Sequence, residues 1–129
     1  MIAIDTNLIV RYLMGDDSQQ SRRAGEVING ETVFVPITVV LEVEWVLRSI
    51  YRMSRLVCVK AIRGFAGLPT VIIDDAAIVS EALDLFSHGM DFADALHLLK
   101  AQHCEKFVTF DRQMIKAAHS AGHQFVQDA

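Results

Sequence analysis

The chain has 129 residues, which fits one domain that can bury a core without disulfides or a structural metal. A hydrophobic content of 52% with 22% charged residues excludes an intrinsically disordered chain, and no apolar run is long enough to span a membrane. The 12 basic and 16 acidic residues give a net charge of −4, which argues against nucleic-acid binding unless cations neutralise some of the acids.

Short apolar runs alternate with longer amphipathic segments from the N-terminus onward. The runs predict strands over residues 2–5, 33–36, 70–73, 107–110 and 125–126. The segments between them predict helices over residues 6–14, 18–28, 39–52, 55–64 (or to 67), 75–87, 92–103 and 112–121. Strands that alternate with helices of this length form βαβ units, so we expect an α/β fold whose parallel sheet has helices on both faces.

Polar residues stand immediately before several predicted helices. Thr38, Ser54 and Asp91 are placed where a side-chain oxygen can accept the free backbone N–H groups of a helix start. Asp94 follows Asp91 by three residues, as in a capping box, although that position is usually Glu or Gln. We therefore expect Thr38, Ser54 and Asp91 to act as N-caps.

Two of the predicted strands end in aspartate. Asp5 ends the first strand and Asp111 follows the fourth, each where the chain leaves the sheet for a helix. The carboxyl ends of parallel strands meet at one edge of a sheet, and ligands bind outside that edge. The sequence therefore predicts that both carboxylates lie at the functional edge.

Two further acids interrupt apolar stretches near helix starts. Glu42 lies near the start of the third predicted helix, and Glu44 points about 200° away from it around the helix axis. Asp94 lies among small and apolar residues, whereas Asp91 is readily explained as a cap. The pattern favours Glu42 and Asp94, but the sequence leaves open an exchange with Glu44 or with Asp91.

Clustered carboxylates are typical of sites for hard cations. Mg²⁺ and Mn²⁺ prefer oxygen ligands, and carboxylates packed together repel one another unless a cation neutralises them. A cation held in this way can activate a water molecule and neutralise charge on a phosphoryl oxygen. The natural reaction is phosphodiester hydrolysis.

Several short motifs resemble the PIN-domain family, and most closely its VapC-type toxin ribonucleases. They are Ile4-Asp5-Thr6-Asn7, Glu42, Asp91-Phe92-Ala93-Asp94-Ala95-Leu96 and Thr109-Phe110-Asp111. The resemblance covers essentially the whole chain. It implies a single domain over residues 1–129, built as a three-layer α/β/α sandwich with a central parallel sheet of about five short strands.

The resemblance also implies the residues of the site. The expected metal ligands and catalytic acids are Asp5, Glu42, Asp94 and Asp111, of which the first three match the family's core triad and Asp111 its more variable fourth acid. Asn7 and Thr109 match nearby polar positions that orient water or the ligands. The implied cofactor is Mg²⁺ or Mn²⁺.

The implied activity is that of an endoribonuclease that acts as the toxin of a toxin–antitoxin pair. Such proteins cleave RNA, usually form homodimers and are inhibited by a small cognate antitoxin protein. Cys58 and Cys104 form no metal-binding or disulfide pattern, which indicates reduced thiols in a cytoplasmic protein. No membrane partner is expected, because no apolar run is long enough to span a membrane. The first five residues predict a strand rather than a signal peptide, because they carry no basic segment.

Two other functions remain open. A PIN-like domain can lack catalysis and serve as a partner-binding module. Asp5-Thr6-Asn7 also superficially resembles the motif of haloacid-dehalogenase phosphatases, which use a strand-end aspartate as a nucleophile. Those enzymes need a second aspartate two residues later, where this chain has Asn7.

Basic residues gather near the first four predicted helices. Arg11, Arg22 and Arg23 lie near the first two helices. A second group lies around the junction of the third and fourth helices and consists of Arg48, Arg52, Arg55, Lys60 and Arg63. Such residues either form solvated helix faces or contact RNA phosphates that flank an acidic site.

Overall fold

The computed structural model describes residues 1–129 and has seven helices and five short strands. They follow the order β1 (Ile2–Ala3), α1 (Thr6–Met14), α2 (Ser18–Gly30), β2 (Val33–Val35), α3 (Ile37–Ser49), α4 (Arg55–Ala66), β3 (Val71–Ile73), α5 (Ala76–Ser87), α6 (Phe92–Lys100), β4 (Phe107–Thr109), α7 (Arg112–Ser120) and β5 (Val126–Asp128). The strands pair only in parallel, so the expected α/β class with parallel strands is confirmed. No helix combines the length and the apolar character that a membrane crossing requires.

The chain divides into two compact units, Met1–Ala76 and Ala77–Ala129. The strands accordingly form a sheet of three and a sheet of two, instead of a single hydrogen-bonded sheet of five. Each unit has its own buried apolar side chains. The single domain over residues 1–129 stays a prediction.

The first unit contains a parallel sheet in the order β1-β2-β3. Val33 pairs with Ile2 on one side and with Val71 on the other, so β2 is the central strand. Val33 and Val35 are completely or almost completely buried, as expected for β-branched residues in the middle strand of a parallel sheet. Helices α1 to α4 belong to this unit and contribute apolar residues to its core.

The second unit contains β4 and β5, which pair in parallel with Phe107 opposite Val126. Helix α7 connects the two strands, which makes a βαβ unit. The unit buries Phe86 of α5 and Phe92 of α6, whose rings meet edge to face with centroids 5.9 Å apart. Burial of these aromatic rings supplies much of the apolar area of a small core.

Two of the three predicted N-caps are confirmed and one is wrong. Ser54 accepts the backbone N–H of Val57, and Asp91 accepts that of Asp94. Thr38 is not a cap, because α3 already begins at Ile37 and Pro36 occupies the N-cap position without a side-chain hydrogen bond.

An acid from the neighbouring strand compensates for the missing cap of α3. Asp74 follows β3, and its Oδ2 accepts the backbone N–H of Ile37 at 3.1 Å. The backbone N–H of Asp74 donates to the carbonyl of Val35, which extends the pairing of β2 and β3 by one residue. Asp74 therefore fixes the start of α3 to the end of β3.

We expect Asp74→Ala to lower the free energy of unfolding by about 1 kcal/mol, the usual loss when an N-terminal acceptor is removed. Asp74→Asn keeps an acceptor oxygen, so its free energy of unfolding should fall by only a fraction of that loss. Urea denaturation of the three proteins measures the difference. Equal losses in the two variants would show that the charge, and not the hydrogen bond, stabilises α3.

Candidate functional site

Asp5 lies at the junction of β1 and α1, outside the carboxyl end of the strand. It is the N-cap of α1, and its Oδ1 accepts the backbone N–H of Thr6 at 2.7 Å. Its carboxylate is exposed. The capping hydrogen bond holds the side chain at the strand end while leaving the rest of the carboxylate available to a ligand.

Thr6 connects this junction to α3. The Thr6 side chain is almost completely buried, and its hydroxyl donates a hydrogen bond to Oε1 of Glu42. Asp5 and Glu42 are therefore joined through one intervening residue, although they lie 37 positions apart in the chain. The structure brings these two predicted site residues together in the first unit.

Glu42 and Glu44 have different environments on α3. Glu44 is 1% exposed and accepts a hydrogen bond from Nε of Arg48 at 2.8 Å, one turn further along the helix. Glu42 is exposed. Because a buried carboxylate needs a partner of opposite charge, Glu44 is explained by its ion pair with Arg48. Of the two acids, Glu42 is the one whose charge is accessible.

Asp111 occupies the equivalent junction in the second unit, between β4 and α7. It is the N-cap of α7, and its Oδ1 accepts the backbone N–H of Met114 at 3.0 Å. Its own N–H donates to the hydroxyl of Thr109 at 3.0 Å. Thr109 thus orients the backbone of Asp111, and the carboxylate itself is exposed.

Asp91 and Asp94 lie at the start of α6. The carboxylate of Asp91 accepts the backbone N–H of Asp94 at 3.1 Å, so Asp91 has the structural role of a cap. Asp91 is exposed, whereas Asp94 is partly buried. The two acids are therefore distinguished by burial as well as by hydrogen bonding.

The pKa of Asp94 is raised above the ordinary aspartate value, first by burial and then by the negative charges of Asp91 and Asp111. His97, one turn further along α6, opposes this shift. The charges of Asp94 and Asp111 are therefore close enough to repel each other. Both residues belong to the second unit, and they interact through their charges.

The chemistry of the donors fits a hard divalent cation. The first unit carries Asp5 and Glu42 and the second carries Asp94 and Asp111, and all four donors are carboxylate oxygens. A cation would remove the repulsion that raises the pKa of Asp94. The structure contains no group of three or more His, Cys, Asp or Glu side chains arranged to hold a metal ion.

Sequence reasoning missed Thr6 and Asp74. Asp74 had a visible signal, because it follows β3 just as Asp5 follows β1. Thr6 had none, since its partner Glu42 is distant in the chain. Asn7, predicted to support the site, is exposed on the first turn of α1 and lines a pocket with residues of α2.

A family model of the PIN domain matches residues 2–120, which covers most of the chain and both units. The chain belongs to the PIN-domain family. PIN domains are generally metal-dependent nucleases, so the broad prediction of a nuclease-type hydrolase is supported. No curated protein matches the chain.

We expect Asp94→Asn to stabilise the metal-free PIN domain at neutral pH. The raised pKa means that ionised Asp94 costs stability above that pKa, and the cost disappears as the pH falls and the carboxyl is protonated. The melting temperature should therefore rise at neutral pH and stay unchanged in acid. Melting curves in a chelator over a range of pH measure it.

The control is Glu105→Gln, which removes a charge at an exposed position and should leave the melting temperature unchanged. A gain from Asp94→Asn that persists in acid, where the wild-type carboxyl is already neutral, would contradict the electrostatic explanation.

Proposed function

We propose that this PIN domain is a metal-dependent endoribonuclease that hydrolyses RNA phosphodiester bonds and acts as the toxin of a toxin–antitoxin pair. The observation that carries the proposal is the partly buried carboxylate of Asp94, which has the charges of Asp91 and Asp111 beside it. A fold gains nothing in stability from such an arrangement without a cation. In a family of metal-dependent nucleases, the simplest explanation of this cost is catalysis.

The four acids Asp5, Glu42, Asp94 and Asp111 would supply the ligands of Mg²⁺ or Mn²⁺. When bound, the cation lowers the pKa of a coordinated water molecule and neutralises charge on the phosphoryl group. The chain's own residues hold the ligands in position. Thr6 orients Glu42 through its hydroxyl, and Thr109 orients the backbone of Asp111.

RNA is the proposed substrate in spite of the net charge of −4. Four of the 16 acids belong to the proposed site, and the other 12 are equal in number to the 12 basic residues, so the rest of the chain carries no net charge. A bound divalent cation would offset part of the charge of the site itself. Arg11 of α1 and Arg23 of α2 are then available for phosphate contacts, which supply most of the affinity of proteins for nucleic acids.

A homodimer and a small cognate antitoxin are the proposed protein partners. Four large apolar side chains on or beside α3 and α4 are exposed, and they are Trp45, Ile50, Leu56 and Val57. Exposed apolar side chains that lie near one another are typical of partner surfaces. The two cysteines are free, as expected for a protein of the cytoplasm, where we propose that the chain acts.

The test is cleavage of total cellular RNA by the purified, antitoxin-free protein with Mg²⁺ or Mn²⁺, with mapping of the cut ends. Each of Asp5→Asn, Glu42→Gln, Asp94→Asn and Asp111→Asn should lower the rate by about 100-fold or more, since a metal stabilises charge in the transition state by several kcal/mol. Asparagine and glutamine are chosen because they keep the hydrogen-bond acceptors of these positions. A chelator should abolish cleavage in the wild-type protein.

Glu44→Gln is the matched control for Glu42→Gln, because both residues lie on α3. It removes the buried charge that pairs with Arg48, so it should lower the melting temperature while leaving the rate per folded molecule unchanged. If the wild-type protein bound a partner tightly but cut no RNA with either metal, the non-catalytic binding module would replace the nuclease. A phosphorylated Asp5 would favour the phosphotransfer enzyme.

A further inference from the structure

Helices α1 and α2 form a pocket of about 250 Å³ in the first unit. Polar side chains from both helices line it, and they are Asn7, Arg11, Gln20 and Arg23. Leu8 and Val27 supply apolar lining. This arginine pocket, as we name it, has no acidic side chain in its lining.

The two arginines of the pocket are held differently. The guanidinium group of Arg11 is fixed by Gln20, whose Oε1 accepts from Nε at 2.8 Å, and by Asp16 at 3.0 Å from Nη1. Arg23 is exposed and forms no ion pair. The pocket therefore combines one preorganised guanidinium group with one whose charge is uncompensated.

The neighbouring arginine on α2 provides an internal comparison. Arg22 does not line the pocket, and its Nε lies 4.0 Å from a carboxylate oxygen of Glu26. Successive helix residues point about 100° apart, so Arg22 and Arg23 present their charges to different surroundings. On α2, the arginine outside the pocket is thus partly neutralised, whereas Arg23 within it has no ion pair.

The chemistry of the lining matches a nucleotide. Guanidinium groups bind phosphate through parallel N–H donors, and they do so better than lysine. The amides of Asn7 and Gln20 can pair with base edges, and Leu8 and Val27 can contact the face of a base. Asn7 lies two residues after Asp5, so the pocket begins in the first turn of the helix that Asp5 caps.

We propose that the arginine pocket binds one nucleotide of single-stranded RNA beside the bond that is cut, with its phosphate on Arg23 and Arg11 and its base against Leu8 and Val27. This inference rests on the proposed function, because it names the substrate contact of the same site. The pocket positions the RNA strand, and Arg23 is a positioning residue with no part in the chemical step.

The experiment compares Arg23→Gln with Arg22→Gln in cleavage of a short single-stranded RNA. Arg23→Gln should raise KM about 5- to 20-fold with little change in kcat, because it weakens RNA binding equally in the ground state and in the transition state. Arg22→Gln should change KM less than about twofold, since that side chain lies outside the pocket. Both side chains are exposed, so neither variant should alter the melting temperature.

Equilibrium binding gives a second measurement that needs no cleavage. Fluorescence anisotropy of the same labelled RNA is measured against salt, in an Asp94→Asn background with and without each arginine substitution. Arg23→Gln removes one phosphate contact, so it should reduce the magnitude of the slope of log binding constant against log salt concentration by about 0.7. Arg22→Gln should leave the slope unchanged. Arg23→Lys should preserve that slope, because the charge is retained, while losing part of the affinity.

The outcomes separate the pocket from the nuclease. If the wild-type protein cuts RNA and the two glutamine variants have the same KM and salt slope, the pocket proposal is wrong and the nuclease stands. If RNA binding depends on Arg23 but nothing is cut, the pocket is supported and the nuclease is wrong. If Arg23→Gln weakens binding of a protein partner but not of RNA, the proposed occupant is wrong.

Discussion

The parallel strand-to-helix junction is the constraint on which most of the molecule depends. At such a junction the chain leaves the sheet and starts a helix whose first N–H groups need acceptors. Asp5 meets this requirement after β1, and Asp111 meets it after β4. Two of the four acids proposed for catalysis thus also start helices, so their positions are set by backbone hydrogen bonds rather than by side-chain packing alone.

The carboxylates of Glu44 and Asp94 are both at least partly removed from solvent, and their charges have different surroundings. Glu44 is buried, and Arg48 on the same helix neutralises it within the protein. Asp94 is partly buried with further negative charges beside it, and burial and repulsion raise its pKa. The first arrangement is complete without a ligand, whereas in the second His97 on the same helix offsets only part of the cost of burial and repulsion. This difference separates a structural acid from a candidate functional one more clearly than position in the sequence does.

The features that could be predicted from the sequence are those with local causes. The placement of Asp5 and Asp111 at strand-to-helix junctions can be predicted, because the strand end and the helix start lie within a few residues of each other in the sequence. The prediction of Thr38 as the N-cap of α3 was wrong, because the helix begins one residue earlier and its Ile37 N–H donates to Asp74, which is distant in the chain. The choice between Glu42 and Glu44 needed the structure, since hydrophobic neighbours along α3 do not reveal which face is buried. The division of the strands into sheets of three and two was equally invisible, because pairing is a property of the folded chain.

The hydrogen bond from the backbone N–H of Ile37 to Asp74 also affects how firmly Glu42 is held, because both Ile37 and Glu42 belong to α3. Helix α3 is attached at its N-terminus to the end of β3, and one and a half turns later Glu42 is attached to Thr6 beside β1. The helix is thereby attached to Asp74, the residue after β3, and to Thr6, the first residue of the helix that follows β1. Strands β1 and β3 are the two outer strands of the three-stranded sheet. Misplacement of a reacting group by about 1 Å can cost two orders of magnitude in rate. The outer strand β3 therefore helps to fix the position of the Glu42 carboxylate, although β3 carries none of the proposed ligands.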